Sequence, residues 1–115
     1  MATQKRTEKL QNLLREEISE ILAEDIEFPE GFLVTLTKSF ISRDLHYADV
    51  FVSCLRTDSE QNLTEADDAK TISEILEILR KNIYHIQQRL NRKLRIRPVP
   101  RIRFLLDSDE VKRIS

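Results

Sequence analysis

The apolar side chains of this chain change period as they run along it, and those changes fix the elements it can build. From Thr7 to about Asp25, Leu10, Leu13, Leu14, Ile18, Ile21 and Leu22 recur at the spacing of one helical face, with Glu16, Glu17, Glu20 and Glu24 placed elsewhere. The spacing predicts an amphipathic helix. It should stop near Phe28-Pro29, because the residue before a proline is pushed out of helical dihedrals and Pro-Glu-Gly supplies a turn. Phe32 to Ile41 is then rich in β-branched and aromatic residues, and Tyr47 to Leu55 alternates Ala48, Val50, Val52 and Cys54 with Asp49 and Ser53. Both segments read as strands. Ser42 to His46 is a connection of hairpin length, which makes the two strands antiparallel neighbours.

The helical period returns after Thr64, which with Asp67 forms a capping pair, and Ile72, Ile75, Leu76, Leu79, Ile83, Ile86 and Leu90 continue one apolar stripe. The signal runs from Glu65 to Asn91, about 40 Å of helix. So long a rod in so small a chain predicts a break, and Asn82-Ile83-Tyr84 is the place for it. Beyond Pro98 and Pro100, Arg101 to Leu106 sets Ile102 and Phe104 against Arg101 and Arg103, as a strand with one solvated face does. The expected class is α+β, in the order α-β-β-α-(α)-β, with a three-stranded sheet packed against helices. The most linker-like stretch, Arg56 to Thr64, is short, and no repeat or low-complexity tract interrupts the chain. A single domain over residues 1–115, with a short tail at 107–115, is therefore expected.

Charge is sorted along this framework. Between Leu79 and Leu106 there is no acidic residue, while Arg80, Lys81, Arg89, Arg92, Lys93, Arg95, Arg97, Arg101 and Arg103 all fall there; the rest of the chain is acidic, and the formal net charge is -1. Binding responds to local potential rather than to the sum, so this segment is a candidate surface for a polyanion such as RNA. Tyr84 and His85 add planar surfaces for an unstacked base, and Lys5, Arg6 and Lys9 could extend the patch. Such contacts fix position without reading base sequence. The plainer alternative pairs these cations with the acidic first helix.

Other chemistries find little support. A single glycine leaves no material for a phosphate-cradling loop. His46 and His85 have no ligand partners at metal-binding spacing, and Cys54 falls on the apolar side of its strand, where a thiol packs as a small hydrophobe. Glu16, Glu17, Glu20, Glu24, Asp67 and Asp68 read as helical surface acids rather than an acid/base or Mg²⁺ cluster. The chain is expected to have no metal, no cofactor and no catalytic residue. One cysteine forbids an intramolecular disulfide, and no apolar run spans a bilayer, so a cytosolic protein is expected.

Two blocks carry a resemblance. Val34-Thr35-Leu36-Thr37, followed by Ile41-Ser42-Arg43-Asp44-Leu45-His46-Tyr47-Ala48-Asp49-Val50-Phe51-Val52-Ser53, is similar to the strand pair of the ribosome-binding factor A family. Leu94-Arg95-Ile96-Arg97-Pro98-Val99-Pro100-Arg101-Ile102-Arg103-Phe104 is similar to a later segment of the same family. The resemblance implies a KH-like fold of type II arrangement and a non-enzymatic, monomeric protein. Its implied partners are the free small (30S) ribosomal subunit and its 16S rRNA, during late maturation and rRNA processing, with assembly GTPases in the same pathway and a role marked at low temperature. In that family an Ala-x-Gly kink stands between two helices where other KH domains have a Gly-x-x-Gly loop; here Asn82-Ile83-Tyr84 occupies the position. A protein-interaction or dimerisation module, meeting an acidic partner through the same basic face, is the alternative function.

Overall fold

A computed structural model describes residues 2–57 and 65–107. The elements are α1 (Ala2–Asp25), β1 (Phe32–Ile41), β2 (Tyr47–Arg56), α2 (Glu65–Lys81), α3 (Ile83–Lys93) and β3 (Arg101–Leu106). The Thr64 cap with Asp67, the linker-like residues 58–64, the side chains of Asp67 and Asp68, and the tail from residue 108 lie outside what is described.

Alternation along β2 decides how the layers stack. Ala48, Val50, Val52 and Cys54 point to one side, where all four are buried, and Tyr47, Asp49, Phe51, Ser53 and Leu55 point to the other. β2 is central in the order β1-β2-β3, antiparallel to β1 and parallel to β3. The helices cover the inner face. Leu14, Ile18, Ile21 and Leu22 from α1, Ile72, Ile75 and Leu79 from α2, and Ile86 and Leu90 from α3 close over the β2 row together with Ile102 and Phe104 of β3. Each such side chain contributes about 1.5–3 kcal/mol by leaving water. The Cys54 thiol is part of this core, and burial pushes its pKa up to about 11, so it packs rather than reacts.

The class, element order and antiparallel hairpin agree with the sequence, and the α-β-β-α-α-β order over this sheet is KH-like. Two boundaries differ: α1 begins at Ala2, ahead of the first apolar residue that could signal it, and the last helix runs on to Lys93. The expected long helix is interrupted at Asn82 (φ −99°, ψ 9°). There the Asn82 amide Nδ2 donates to Ile78 O at 2.8 Å and the backbone N–H of Asn82 to the same oxygen at 3.2 Å. The interruption thus consumes a carbonyl left over at the end of α2 without any residue at positive φ.

The turn between β1 and β2 is held by Asp44. Its Oδ1 accepts from the Ser42 hydroxyl at 2.6 Å and from His46 N–H at 3.1 Å, and the Ser42 bond, then the His46 amide, holds its carboxyl pKa below the ordinary range. The closure forces Leu45 to φ 64°, a left-handed conformation unfavourable for a γ-branched residue. Leu45→Asn is expected to raise stability by up to ~1 kcal/mol, because asparagine tolerates that region without the added chain entropy of glycine. Urea unfolding of the two proteins tests this.

Candidate nucleic-acid interface

Helix α3 distributes the basic segment by its own periodicity. Ile86 and Leu90 face the core. His85, Arg89 and Lys93, at i, i+4 and i+8, form a second stripe; Tyr84, Gln88 and Arg92 form a third, about 100° of helical rotation away. The second stripe meets α1, which runs antiparallel beside it. His85 Nε2 lies 2.7 Å from Asp25 Oδ2, and Arg89 donates to Asp25 at 2.8 Å and Glu24 at 3.2 Å. Lys93 Nζ is 3.1 Å from both Glu17 and Glu20. For Arg89 and Lys93 the plainer alternative in the sequence is what the structure adopts, and His85 is held at a helix interface rather than free to stack.

These pairs shift ionisation as their geometry requires. The His85 hydrogen bond, joined by the Arg89 charge and opposed by partial burial, holds the Asp25 carboxyl below its ordinary range. Partial burial works against the Arg89 charge, but hydrogen bonds to Glu24 and Asp25 outweigh it and its pKa rises. Hydrogen bonds donated to Glu20, then to Glu17, raise that of Lys93.

The other candidates part company around α3. Arg97 turns back as a cap on the helix end, donating to Leu94 O at 2.9 Å and Ile96 O at 2.6 Å. Arg101 and Arg103 stand on the uncovered side of β3, where Arg103 makes a two-pronged contact with Asp49 at 3.1 and 3.2 Å that raises its pKa. The side chains of Arg80, Lys81, Arg95 and Arg101 are exposed and make no hydrogen bond or ion pair to a described residue, while that of Arg92 touches only Gln88 O at 3.4 Å. Tyr84 is 75% exposed between them. α1 continues past the end of α3 towards its own N-terminus, carrying exposed Lys5, Arg6 and Lys9 there.

Where α2 gives way to α3, a groove of about 300 Å³ opens against the edge of β3, with Ile83, Ile102, Phe104 and Leu105 as its apolar lining and Arg80 and Arg103 among its walls. An apolar floor with guanidinium groups beside it suits a base and its flanking phosphates. One residue of this architecture escaped sequence reasoning. Gln87 donates to Pro100 O at 3.0 Å and accepts from Ile102 N–H at 3.0 Å, tying α3 to the start of β3. A glutamine in a helix sends no signal of that kind. Among the described residues no group of three His, Cys, Asp or Glu side chains could hold a metal ion, and no helix is long and apolar enough to cross a membrane.

Comparison with known proteins bears on the same span. The family model described as ribosome-binding factor A matches residues 6–115. A ribosome-binding factor A of Acinetobacter baumannii is 32% identical over 108 residues, covering 93% of this chain and 78% of that protein. The crystal structure of ribosome-binding factor A from Thermus thermophilus shares the fold with a TM-score of 0.63 at 24% identity, over 87% of this chain and 94% of that one. A homology model of the Thermus thermophilus ribosome-binding factor A, fitted into a cryo-EM map of a complex of ribosome-binding factor A with 30S, gives a TM-score of 0.62 at 25% identity, over 84% and 90% of the two chains.

Two substitutions at adjacent positions separate the stripes. Lys93→Glu, which faces Glu17 and Glu20, is expected to lower the urea midpoint, whereas Arg92→Glu leaves it near the original value. The pH dependence has a definite sign as well. Because the folded pKa of Asp25 is lowered, its contribution is fully present above the unfolded value of about 3.9 and is lost as pH falls through the folded value. Unfolding of Asp25→Asn beside the parent should show a stability gap at neutral pH that closes as the pH falls through the folded value.

Proposed function

The chain belongs to the ribosome-binding factor A family, and on that premise we propose that it binds the free small ribosomal subunit through 16S rRNA and promotes late maturation and rRNA processing without catalytic turnover. The supporting observation is the set of cations on and just beyond the broken helix that have no ion-pair partner among the described residues. Arg80 and Lys81 precede the exposed Tyr84 in the chain, Arg92 and Arg95 follow it, and Arg80 also lines the groove, while the cations turned towards α1 are already ion-paired. The contact set is thus narrower than the nine basic residues of the segment: Arg80, Lys81, Arg92 and Arg95 lead, Arg101 and Arg103 border the groove from β3, and Lys5, Arg6 and Lys9 extend the surface. Tyr84 supplies the stacking face.

A rigid body that neutralises phosphates at several points and wedges a base beside its helix break favours whichever particle conformation presents those groups together. Differential binding alone then shifts the particle's equilibrium, with no nucleotide consumed. On this reading the protein is a monomeric, single-domain, cytoplasmic factor whose role is most marked at low temperature, when rearrangement of RNA is slow, and which acts beside assembly GTPases. The 30S subunit in the complex into which the Thermus factor was fitted supports the small subunit as its partner.

Co-sedimentation with purified small subunits, large subunits and whole ribosomes across a salt series tests the proposal. Selective association with free small subunits is expected, with log affinity falling against log salt at a slope of roughly −0.7 per phosphate contact. The triple reversal Arg80→Glu, Arg92→Glu and Arg95→Glu should weaken binding by more than about tenfold and flatten that slope by about 2, with the unfolding midpoint unchanged. A folded protein that associates with no ribosomal particle, or a triple variant that binds as the parent does, would overturn this assignment.

A further inference from the structure

Helix α1 covers the free edge of β1 along only part of its length. Thr57 N–H donates to Gly31 O at 3.0 Å, which places residue 31, and with it Leu33 and Thr35, in the ladder facing β2. The N–H and C=O groups of Phe32 and Val34 therefore point off the edge. After the register shift between Leu36 and Lys38 the edge is occupied by α1: the Gln11 side chain accepts from Ile41 N–H at 3.1 Å, Arg15 donates to Thr37 O at 3.5 Å, and the Ser39 hydroxyl donates to Gln11 O at 2.8 Å. No described residue takes up the outward groups of Phe32 and Val34.

A cleft of about 390 Å³ lies beside that open stretch, between β1 and the C-terminal half of α1. Leu22, Ile26, Phe28 and Val34 line it with apolar surface, and Ser19 and Ala23, one turn apart, keep its helical wall low. Its surroundings are acidic. Glu16 precedes Ser19 on the same side of α1, and Glu27 and Glu30 flank Phe28 in the connection to β1; all three are exposed and none has an ion-pair partner among the described residues. This contrasts with Glu17, Glu20, Glu24 and Asp25, each of which is ion-paired with Arg89 or Lys93 of α3.

We propose that this half-open edge and its acidic cleft receive an extended peptide of alternating basic and apolar residues, added to the sheet as a fourth strand. Main-chain bonds to Phe32 and Val34 supply the attachment, alternate apolar side chains fill the cleft, and the intervening cations meet Glu16, Glu27 and Glu30. Pairing with a second copy of this chain is disfavoured, because it would bring those unpaired carboxylates against one another. The inference is independent of the RNA contact, which lies on the other side of the molecule.

The test uses an end-blocked heptapeptide alternating lysine and valine, with an alternating glutamate and valine peptide as control, titrated into the isotope-labelled full chain without RNA. The expected result is binding of the basic peptide alone, slowed amide exchange at Phe32 and Val34, and at least tenfold weaker binding to Ala23→Arg and to Glu16→Lys/Glu27→Lys. Both variants alter exposed positions, and their unperturbed spectra would show that they fold. No binding at millimolar peptide, binding that leaves exchange at Phe32 and Val34 unchanged, or equal affinity in the variants would overturn the proposal. So would a concentration-dependent dimer that Ala23→Arg abolishes, since it would assign the edge to a second copy.

Discussion

The parallel pairing of β2 with β3 is the constraint from which the rest of the molecule follows. Arg101 N–H must reach His46 O at 2.8 Å, so the chain that leaves β2 at Arg56 has to return along the whole strand before it can pair. β2 spans about 33 Å. A single unbroken helix over the predicted span would be about 40 Å, close to the 41 Å longest extent of the whole molecule, and would overrun the strand it has to cover. Interruption at Asn82 resolves the mismatch and divides the crossover into two helices that both cover the inner face of β2. The same interruption opens the groove between Arg80, Ile83 and β3. A topological requirement and a candidate binding surface therefore share one residue.

Ending α2 at Lys81 also sets the rotation of α3, and with it the division of the cations. One apolar stripe is fixed by Ile86 and Leu90 in the core, after which helical geometry leaves His85, Arg89 and Lys93 nowhere to go but towards α1. The ladder they make consists of partly exposed pairs, individually weak, and the value of the arrangement lies as much in specificity as in strength. A slip of α3 against α1 by one turn would break several contacts together and move Gln87 off its carbonyl and amide partners at Pro100 and Ile102. Charge pairing on one side and Gln87 on the other hold α3 at one rotation, which presents Tyr84 and Arg92 outward.

Those two consequences mark where the sequence could and could not be read. The strands, their hairpin, the break near Asn82 and the solvated face of Arg101 and Arg103 were legible because each depends on local periodicity or on a turn residue. The basic segment was legible too, but not its partition. Whether Arg89 or Arg92 is free depends on carboxylates some 65 positions away in the chain, at Glu24 and Asp25, and no local pattern carries that separation. Gln87 was invisible for the same reason. The α1 start at Ala2 was missed because Thr3 to Lys9 contain no apolar side chain that would mark its first two turns.

The partition also explains how a chain of formal net charge -1 can approach a polyanion. Of the four carboxylates on α1 that face α3, two are offset by Arg89 and Lys93, and each such pair, with opposite charges about 3 Å apart, is a short dipole with little field at a distance. Among the described residues without an ion pair, Arg80, Lys81, Arg92 and Arg95 lie on or beside the broken helix and Glu16, Glu27 and Glu30 about the β1 edge, while Glu74 and Glu77 stand exposed on α2. In a field falling away from an RNA surface over about a Debye length, such a body is turned as well as attracted, with its cations inward and its acids outward. Orientation would then precede contact, and the acidic edge of β1 would be left facing away from the RNA, where a basic protein segment could reach it.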